Sequence, residues 1–160
     1  MPQISNSGFE IVPFDDVNLA VSLLREADED MVRIQAAVSN PANTAYLMLM
    51  DHSPIGAALM HWDADESELL YIVVDKAYRG QGYGKAAMAG LVELAHQQAV
   101  KSMVVGTANT SIENILFYQK CGFRMDSVRK DYFSYFSSPV YEHGIQIQDM
   151  VVFRRAINLF

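Results

Sequence analysis

Apolar residues recur along this chain with two different periods, and the places where the period switches divide it into strands and helices. Phe9 to Phe14 is a short apolar run that predicts a first strand. In DDVNLAVSLLREA, Val17, Ala20, Leu23, Leu24 and Ala27 share one face of a helix, behind aspartates suited to cap it. A second helix is predicted to begin at the acidic stretch around Asp28. Thr44–Met50 and Ile55–Trp62 are apolar runs separated by DHSP, the pattern of an antiparallel hairpin. Glu68–Asp75 supplies the next strand. From Gly84, the positions Met88, Leu91, Val92 and Ala95 repeat on one face of a helix that ends near Val100. Ser102–Thr107 then reads as a strand, Ser111 caps a helix reaching Lys120, and two late strands lie near Phe123–Tyr132 and Gln146–Arg154. Helices and strands alternate after a hairpin, so the class is mixed α/β. No repeat, low-complexity tract or linker divides the chain, which predicts one domain over residues 1–160.

The junction YIVVDKAYRGQGYGKAAM is where this pattern acquires chemistry. A buried strand, Leu69 to Val74, leads through a turn containing Gly80, Gly82 and Gly84 into the helix that begins near Lys85. Glycines let backbone approach a ligand closely, and the unpaired N–H groups opening a helix attract phosphate oxygens. Between Lys76 and Val92 stand three cations, Lys76, Arg79 and Lys85, and no carboxylate. From the glycines alone, an anion site and a tight turn with solvated basic residues account for the stretch equally well.

Two familiar phosphate motifs do not fit. The dinucleotide fingerprint needs G-x-G-x-x-G, whereas Gly80, Gly82 and Gly84 are spaced G-x-G-x-G. A P-loop needs glycine where Arg79 stands, and serine or threonine where Ala86 follows Lys85.

Composition narrows the classes further. A chain of 160 residues with 51% hydrophobic content can bury one substantial core. Its formal charge of -7 and pI near 4.9 argue against nonspecific nucleic-acid binding and against adsorption to an anionic membrane, so an anionic ligand must be held locally. Cys121 is the only cysteine, which excludes an internal disulfide and is compatible with a reducing cytoplasm. The start MPQISNSGFE lacks the basic and apolar segments of a leader, and runs such as AYLMLM are far short of a membrane span. A cytoplasmic protein is the expectation. The histidines His52, His61, His96 and His143 are scattered without ligand spacing, and no metal is expected.

The stretch Arg79, Gly82, Gly84 reads R-x-x-G-x-G directly after a strand, and FYQKCGF, Phe117 to Phe123, lies a helix and a strand downstream. Together they resemble the acetyl-CoA pyrophosphate motif and the second motif of the GNAT N-acetyltransferase superfamily. The resemblance runs from about Ile55 to the C-terminus. The tail RKDYF…PVYEHGIQIQDM is similar to a group of small bacterial members, whereas the first fifty residues match no named pattern. It implies a GNAT-like α/β (α+β) fold, with a mixed sheet of about six to seven strands, helices on both faces, and a V-shaped splay between two central parallel strands.

What the resemblance implies for the site can be stated residue by residue. Acetyl-CoA is the expected cosubstrate, its pantetheine lying in the splay along Ile72, Val73 and Val74. The Ile72 N–H would bond the acetyl carbonyl and Val74 the pantetheine amide. The amides of Arg79, Gly80, Gln81, Gly82, Tyr83, Gly84 and Lys85 would hold the pyrophosphate. Tyr118 matches the tyrosine that protonates the departing thiolate, although an aromatic among Ile115 and Leu116 is on its own more often core. Asn109 stands at the mouth of the expected gap, where its amide could hold pantetheine or cap a turn; the family asparagine commonly lies slightly closer to the tyrosine. Glu68 is placed like the glutamate some members use as general base, and the alternation Glu68, Leu70, Ile72, Val74 predicts one shared face. A solvated strand end explains Glu68 equally well.

The expected reaction is acetyl transfer to a primary amine by direct attack in a ternary complex, with Cys121 not a nucleophile. The alternative is a noncatalytic acyl-CoA sensor or interaction domain of the same fold. The partner is a small-molecule or peptide amine, expected to be cationic and admitted beside Asp131, Glu142 and Asp149. The segment DYFSYF and the late strands could cover the substrate or pair in a homodimer.

Overall fold

The computed structural model describes residues 8–158. In chain order the strands are β1 (Phe9–Phe14), β2 (Asn43–Met50), β3 (Ser53–His61), β4 (Glu66–Val74), β5 (Ser102–Ala108), β6 (Arg124–Arg129), the short β7 (Tyr141–Glu142) and β8 (Ile145–Gln146), and β9 (Met150–Ala156). The helices are α1 (Val17–Leu24), α2 (Met31–Ser39), α3 (Tyr83–Gln97) and α4 (Ile112–Lys120). Seven strands form one mixed sheet in the order β1-β2-β3-β4-β5-β9-β6, and β7 pairs only with β8. β1 to β4 form an antiparallel meander. The crossover through α3 then brings β5 back parallel to β4, as a strand-helix-strand unit must. β9 lies between β5 and β6, antiparallel to both.

Each face of the sheet has its own core. α3 turns Ala87, Met88, Leu91, Val92 and Ala95 onto Met48, Met60, Leu69, Met103 and Val105, and Tyr118, Phe123 and Phe153 complete this cluster. On the opposite face Ala20, Leu24 and Ile34 of α1 and α2 cover Ala45, Ala57, Leu59 and Val73. Of these, the helical spacing in the sequence marks Ala20 and Leu24 of α1 and Met88, Leu91, Val92 and Ala95 of α3.

Local chemistry sets the boundaries. Asp16 caps α1 by accepting from Leu19 N at 3.0 Å, and Asp30 caps α2 by accepting from Val32 N at 2.9 Å. The first helix ends at Leu24 rather than continuing to Ala27. Asp28 Oδ1 accepts from Asp30 N at 2.9 Å, a local turn that competes with helix and links α1 to α2. The last strand starts at Met150, not Gln146, because residues 146–149 are drawn aside by side-chain bonds described below. Among the described residues, no helix is long and apolar enough to cross a membrane.

Candidate active site

The site begins where the sheet comes apart. Parallel pairing of β4 with β5 lasts four residues, Glu66–Leu69 against Ser102–Val105, although β4 continues to Val74 and β5 to Ala108. At the same level β4 bulges: Tyr71 pairs with Leu59 and Leu69 with Met60, leaving Leu70 without a β3 partner. A bulge adds local twist and re-aims the strand beyond it. The two strands diverge there into a wedge. Asp75 N donates to Ile55 O at 2.8 Å on the β3 side. Successive N–H groups of a strand point to opposite edges, so those of Val74 and Ile72 face the wedge.

The bulge also corrects one expectation. Glu68, Leu70, Ile72 and Val74 do not share a face: Leu69, Ile72 and Val74 pack toward α3, while Leu70, Tyr71 and Val73 pack toward α1 and α2. One extra residue reverses the alternation, so Glu68 lies on the side of Leu70 and Tyr71, not of Ile72.

Beyond Val74 the chain makes a short 3-10 turn, Lys76–Tyr78, and enters the glycines. Gly80 (φ +74°) and Gly82 (φ +87°) adopt left-handed backbone that side-chain-bearing residues rarely tolerate. The first bond into α3 is Ala86 N to Gly82 O at 3.0 Å, and the amides of Gly80 to Lys85 take no backbone partner among the described residues. Among the described residues no side chain caps this helix end. Buried Tyr83 stacks on Phe9, 5.8 Å between centroids, and fixes the turn to the core. Arg79 does not project freely: its Nε donates to Val74 O at 2.8 Å and its Nη2 pairs with Glu26, whose carboxyl is held below its usual range by that bond.

Wedge, turn and the α1–α2 link enclose a cavity of about 1020 Å³. β4 lines it from Glu68 to Val74, β5 with Gly106 to Ala108, and α4 with Ser111, Asn114, Phe117 and Tyr118. Tyr118 is only 5% exposed and packs on Phe123 and Phe153, with centroids 6.2 and 5.9 Å away. Burial, with the adjacent Cys121 thiol, pushes its phenol pKa well above the ordinary value, so it keeps its proton. Cys121 is itself buried, its thiol pushed up by desolvation, which suits packing rather than nucleophilic attack. Glu68 stands on the cavity wall with Oε1 accepting from Arg129 Nη1 at 2.9 Å.

Asn109 is placed differently from the expectation. Its Nδ2 donates to Gln146 O at 3.1 Å, and its Oδ1 accepts from Gln148 N at 3.0 Å and Asp149 N at 3.2 Å. That leaves it clamping residues 146–149 to the end of β5, away from the cavity. The amide on the cavity wall is that of Asn114, one helical turn before Tyr118, with Nδ2 donating to Thr107 Oγ1 at 3.2 Å. Of the late carboxylates, Glu142 lines the cavity, whereas Asp149 is spent accepting from Asp131 N at 2.9 Å. His61 bonds Asn43 Oδ1 at 2.9 Å through Nδ1.

Asn109→Ala removes three bonds at once, and the variant is expected to lose about 1–3 kcal/mol of stability, measured by urea unfolding at constant m. An unchanged midpoint would mean that the clamp contributes nothing.

The acceptor end of the cavity escaped sequence reasoning. Asp28, its side chain 7% exposed, accepts from Tyr71 Oη at 3.2 Å and from Tyr135 Oη at 3.1 Å. Arg33 places its Cζ over the Tyr135 ring. The only signal in the sequence was the aromatic density of DYFSYF opposite an acidic link.

Comparison with known proteins matches this arrangement to one family. The family model described as Acetyltransferase (GNAT) family matches residues 14–123. An uncharacterized N-acetyltransferase of Bacillus subtilis, YvbK, is 34% identical over 85 residues, 52% of this chain. The chain spans about half that protein's length, 55%, and about a third or less of the other curated relatives it matches. A GNAT family acetyltransferase from Elizabethkingia anophelis, solved with acetyl-CoA bound, superposes with a TM-score of 0.85 at 27% identity, covering 93% of this chain and 98% of that one. An IAA acetyltransferase from Bacillus cereus gives a TM-score of 0.83 at 29% identity over 92% and 99% of the two chains. With more than half of its length matched by the family model, and with its parallel pair splayed above an amide-lined glycine turn, the chain belongs to the GNAT acetyltransferase family.

Proposed function

We propose that the protein is a single-domain enzyme that transfers an acetyl group from acetyl-CoA to a primary amine by direct attack. The observation that carries this reading is one cavity bordered by the free edge of β4, the unpaired amides of the glycine turn and the Tyr118 phenol. The residues present fit the cosubstrate: six amides at the positive end of α3 suit its pyrophosphate, and the wedge suits an extended pantetheine. Acetyl-CoA supplies an activated thioester. Gly80, Gln81, Gly82, Tyr83, Gly84 and Lys85 hold phosphate oxygens through their amides, whereas Arg79, whose own N–H donates to Lys76 O at 3.3 Å, braces the turn through its side chain. The Val74 N–H and the Asn114 amide orient the pantetheine, taking the place given to Asn109 from sequence, and Val73 anchors the strand in the core.

The Ile72 N–H donates to the carbonyl oxygen on which negative charge builds as the amine attacks, a contribution of about a few kcal/mol to lowering the barrier. The new N–C bond forms as the C–S bond breaks. Glu68, through Oε2 or a bridging water, takes the proton from the incoming ammonium and passes it to solvent, and the second proton that the nitrogen sheds as the amide forms leaves by the same route. Tyr118 Oη–H protonates the departing sulfur and is reprotonated from solvent. The buried free thiol of Cys121 suits a reducing compartment, and we place the enzyme in the cytoplasm.

Release of free CoA on addition of an amine, with the acetylated amine identified by mass, tests the reading. Binding of acetyl-CoA without transfer to any of a broad amine panel would favour a sensor instead. Glu68→Gln keeps the shape and removes the base. It is expected to lower transfer about tenfold or more at neutral pH and to recover at high pH, where more amine is already neutral. Parallel pH–rate profiles of equal height for both proteins would exclude Glu68 as the base.

A further inference from the structure

One guanidinium on the cavity wall has most of its hydrogen-bonding capacity unspent. Arg33, in the first turn of α2, holds its Cζ 3.7 Å from the centroid of the Tyr135 ring and 5.8 Å from that of Tyr132. An arginine offers five N–H donors in a rigid plane. Within the described residues only Nη2 is engaged, in a long 3.4 Å bond to Tyr132 Oη. Nε is buried and has no hydrogen-bond partner.

Its nearest carboxylate does not satisfy it. Asp28 Oδ2 is 3.6 Å away, and the Asp28 oxygens already accept from the Tyr71 and Tyr135 hydroxyls and from Asp30 N. Asp28 thus balances part of the charge without filling the fork. The buried Nε is turned to Asp28 and closed to a ligand, so the donors left open are those of the partly exposed Nη end, positioned by the aromatic ring under Cζ. A planar fork on a cavity wall matches a carboxylate, which it binds through two parallel bonds. In a protein of charge -7, such an anion needs a local cation to enter at all.

We propose that the amine acceptor also carries a carboxylate, as a free amino acid does, and that Arg33 receives it. The inference rests on the acetyltransferase reading. The ammonium group is set toward the carboxylates Glu68 and Glu142, the carboxylate toward Arg33, and Tyr71 and Phe133 border the rest of the molecule. Arg33 is then a specificity residue of the acceptor site, distinct from the groups that hold the cosubstrate.

The test is a panel of the standard amino acids, each beside its own carboxamide, with spermidine and tyramine as amines lacking a carboxylate. Wild type is expected to prefer acid over amide by about tenfold or more in kcat/KM, through KM. In Arg33→Gln that ratio should fall to near one, and in Arg33→Lys, which keeps the charge but loses the fork, to an intermediate value. Calorimetric titration of the preferred amino acid with CoA present should show the same loss of affinity. Each ratio is taken within one protein, so a partly folded variant still reports, and a wild-type ratio near one overturns the inference by itself. Acetylation confined to spermidine or tyramine overturns it too and leaves the acetyltransferase reading standing. Absence of both CoA binding and transfer removes that underlying reading.

Discussion

Replacing Tyr118 by phenylalanine is expected to slow acetyl transfer about 100-fold while leaving acetyl-CoA affinity within about threefold. The change deletes one oxygen and keeps the ring that packs against Phe123 and Phe153. Folding therefore survives, and the loss falls on protonation of the leaving sulfur. Because burial raises the Tyr118 pKa above that of a free phenol, wild type should show no falling limb from this residue near pH 10, where an exposed tyrosine would be about half deprotonated. The rate should instead climb with pH as the acceptor amine becomes neutral. Stopped-flow measurement of the chemical step checks both points. Equal single-turnover rates for the two proteins would return Tyr118 to a purely structural role.

Gly82→Val is expected to weaken acetyl-CoA binding about 100-fold or more, whereas Lys76→Ala changes it by about threefold or less. A Cβ at Gly82 meets nothing within 4 Å, so the penalty is not a clash with the protein. It comes from the φ of +87°, which costs an L-residue about 1–2 kcal/mol and more when β-branched, and from bulk set beside amides meant to touch phosphate. Relaxing the strain would turn the Tyr83, Gly84 and Lys85 amides away from one another. Lys76 sits on the exposed 3-10 turn and acts only through screened charge. Isothermal titration at low ionic strength separates the two, and comparable losses would mean that close backbone approach is not what holds the cosubstrate.

Much of this architecture was legible in the chain because it is locally encoded. Helical spacing at Met88, Leu91, Val92 and Ala95 marked the face of α3 that is buried, and the glycines marked the positions where left-handed backbone is required. The bulge at Leu70 was not legible. Leu69 to Val74 carries no charged residue and only the amphipathic Tyr71 among aliphatic ones, so nothing in the pattern betrays the slip in parity. Asn109 and Asn114 flank the start of the same helix, and what separates their roles is the segment 146–149, some 37 to 40 residues away, which occupies Asn109. The acceptor end was hidden for the same reason: Tyr71 and Tyr135 reach Asp28 across 43 and 107 residues, a meeting that only the folded sheet arranges.

The early end of the β4–β5 ladder gives this sheet two more strand edges than a fully paired seven-stranded sheet would have. Open edges are ordinarily hazardous, since any extended chain can zip onto them and seed aggregation. Here the two edges face each other across a cleft, bounded by α4 on one side and the α1–α2 link on the other. A neighbouring molecule cannot dock a strand without threading into that cleft, so the protein keeps sticky backbone in reserve without displaying it. The outermost strands, β1 and β6, carry the ordinary burden of defence, and β6, with Arg124, Asp126 and Arg129 along its length, has the charged character that discourages such pairing.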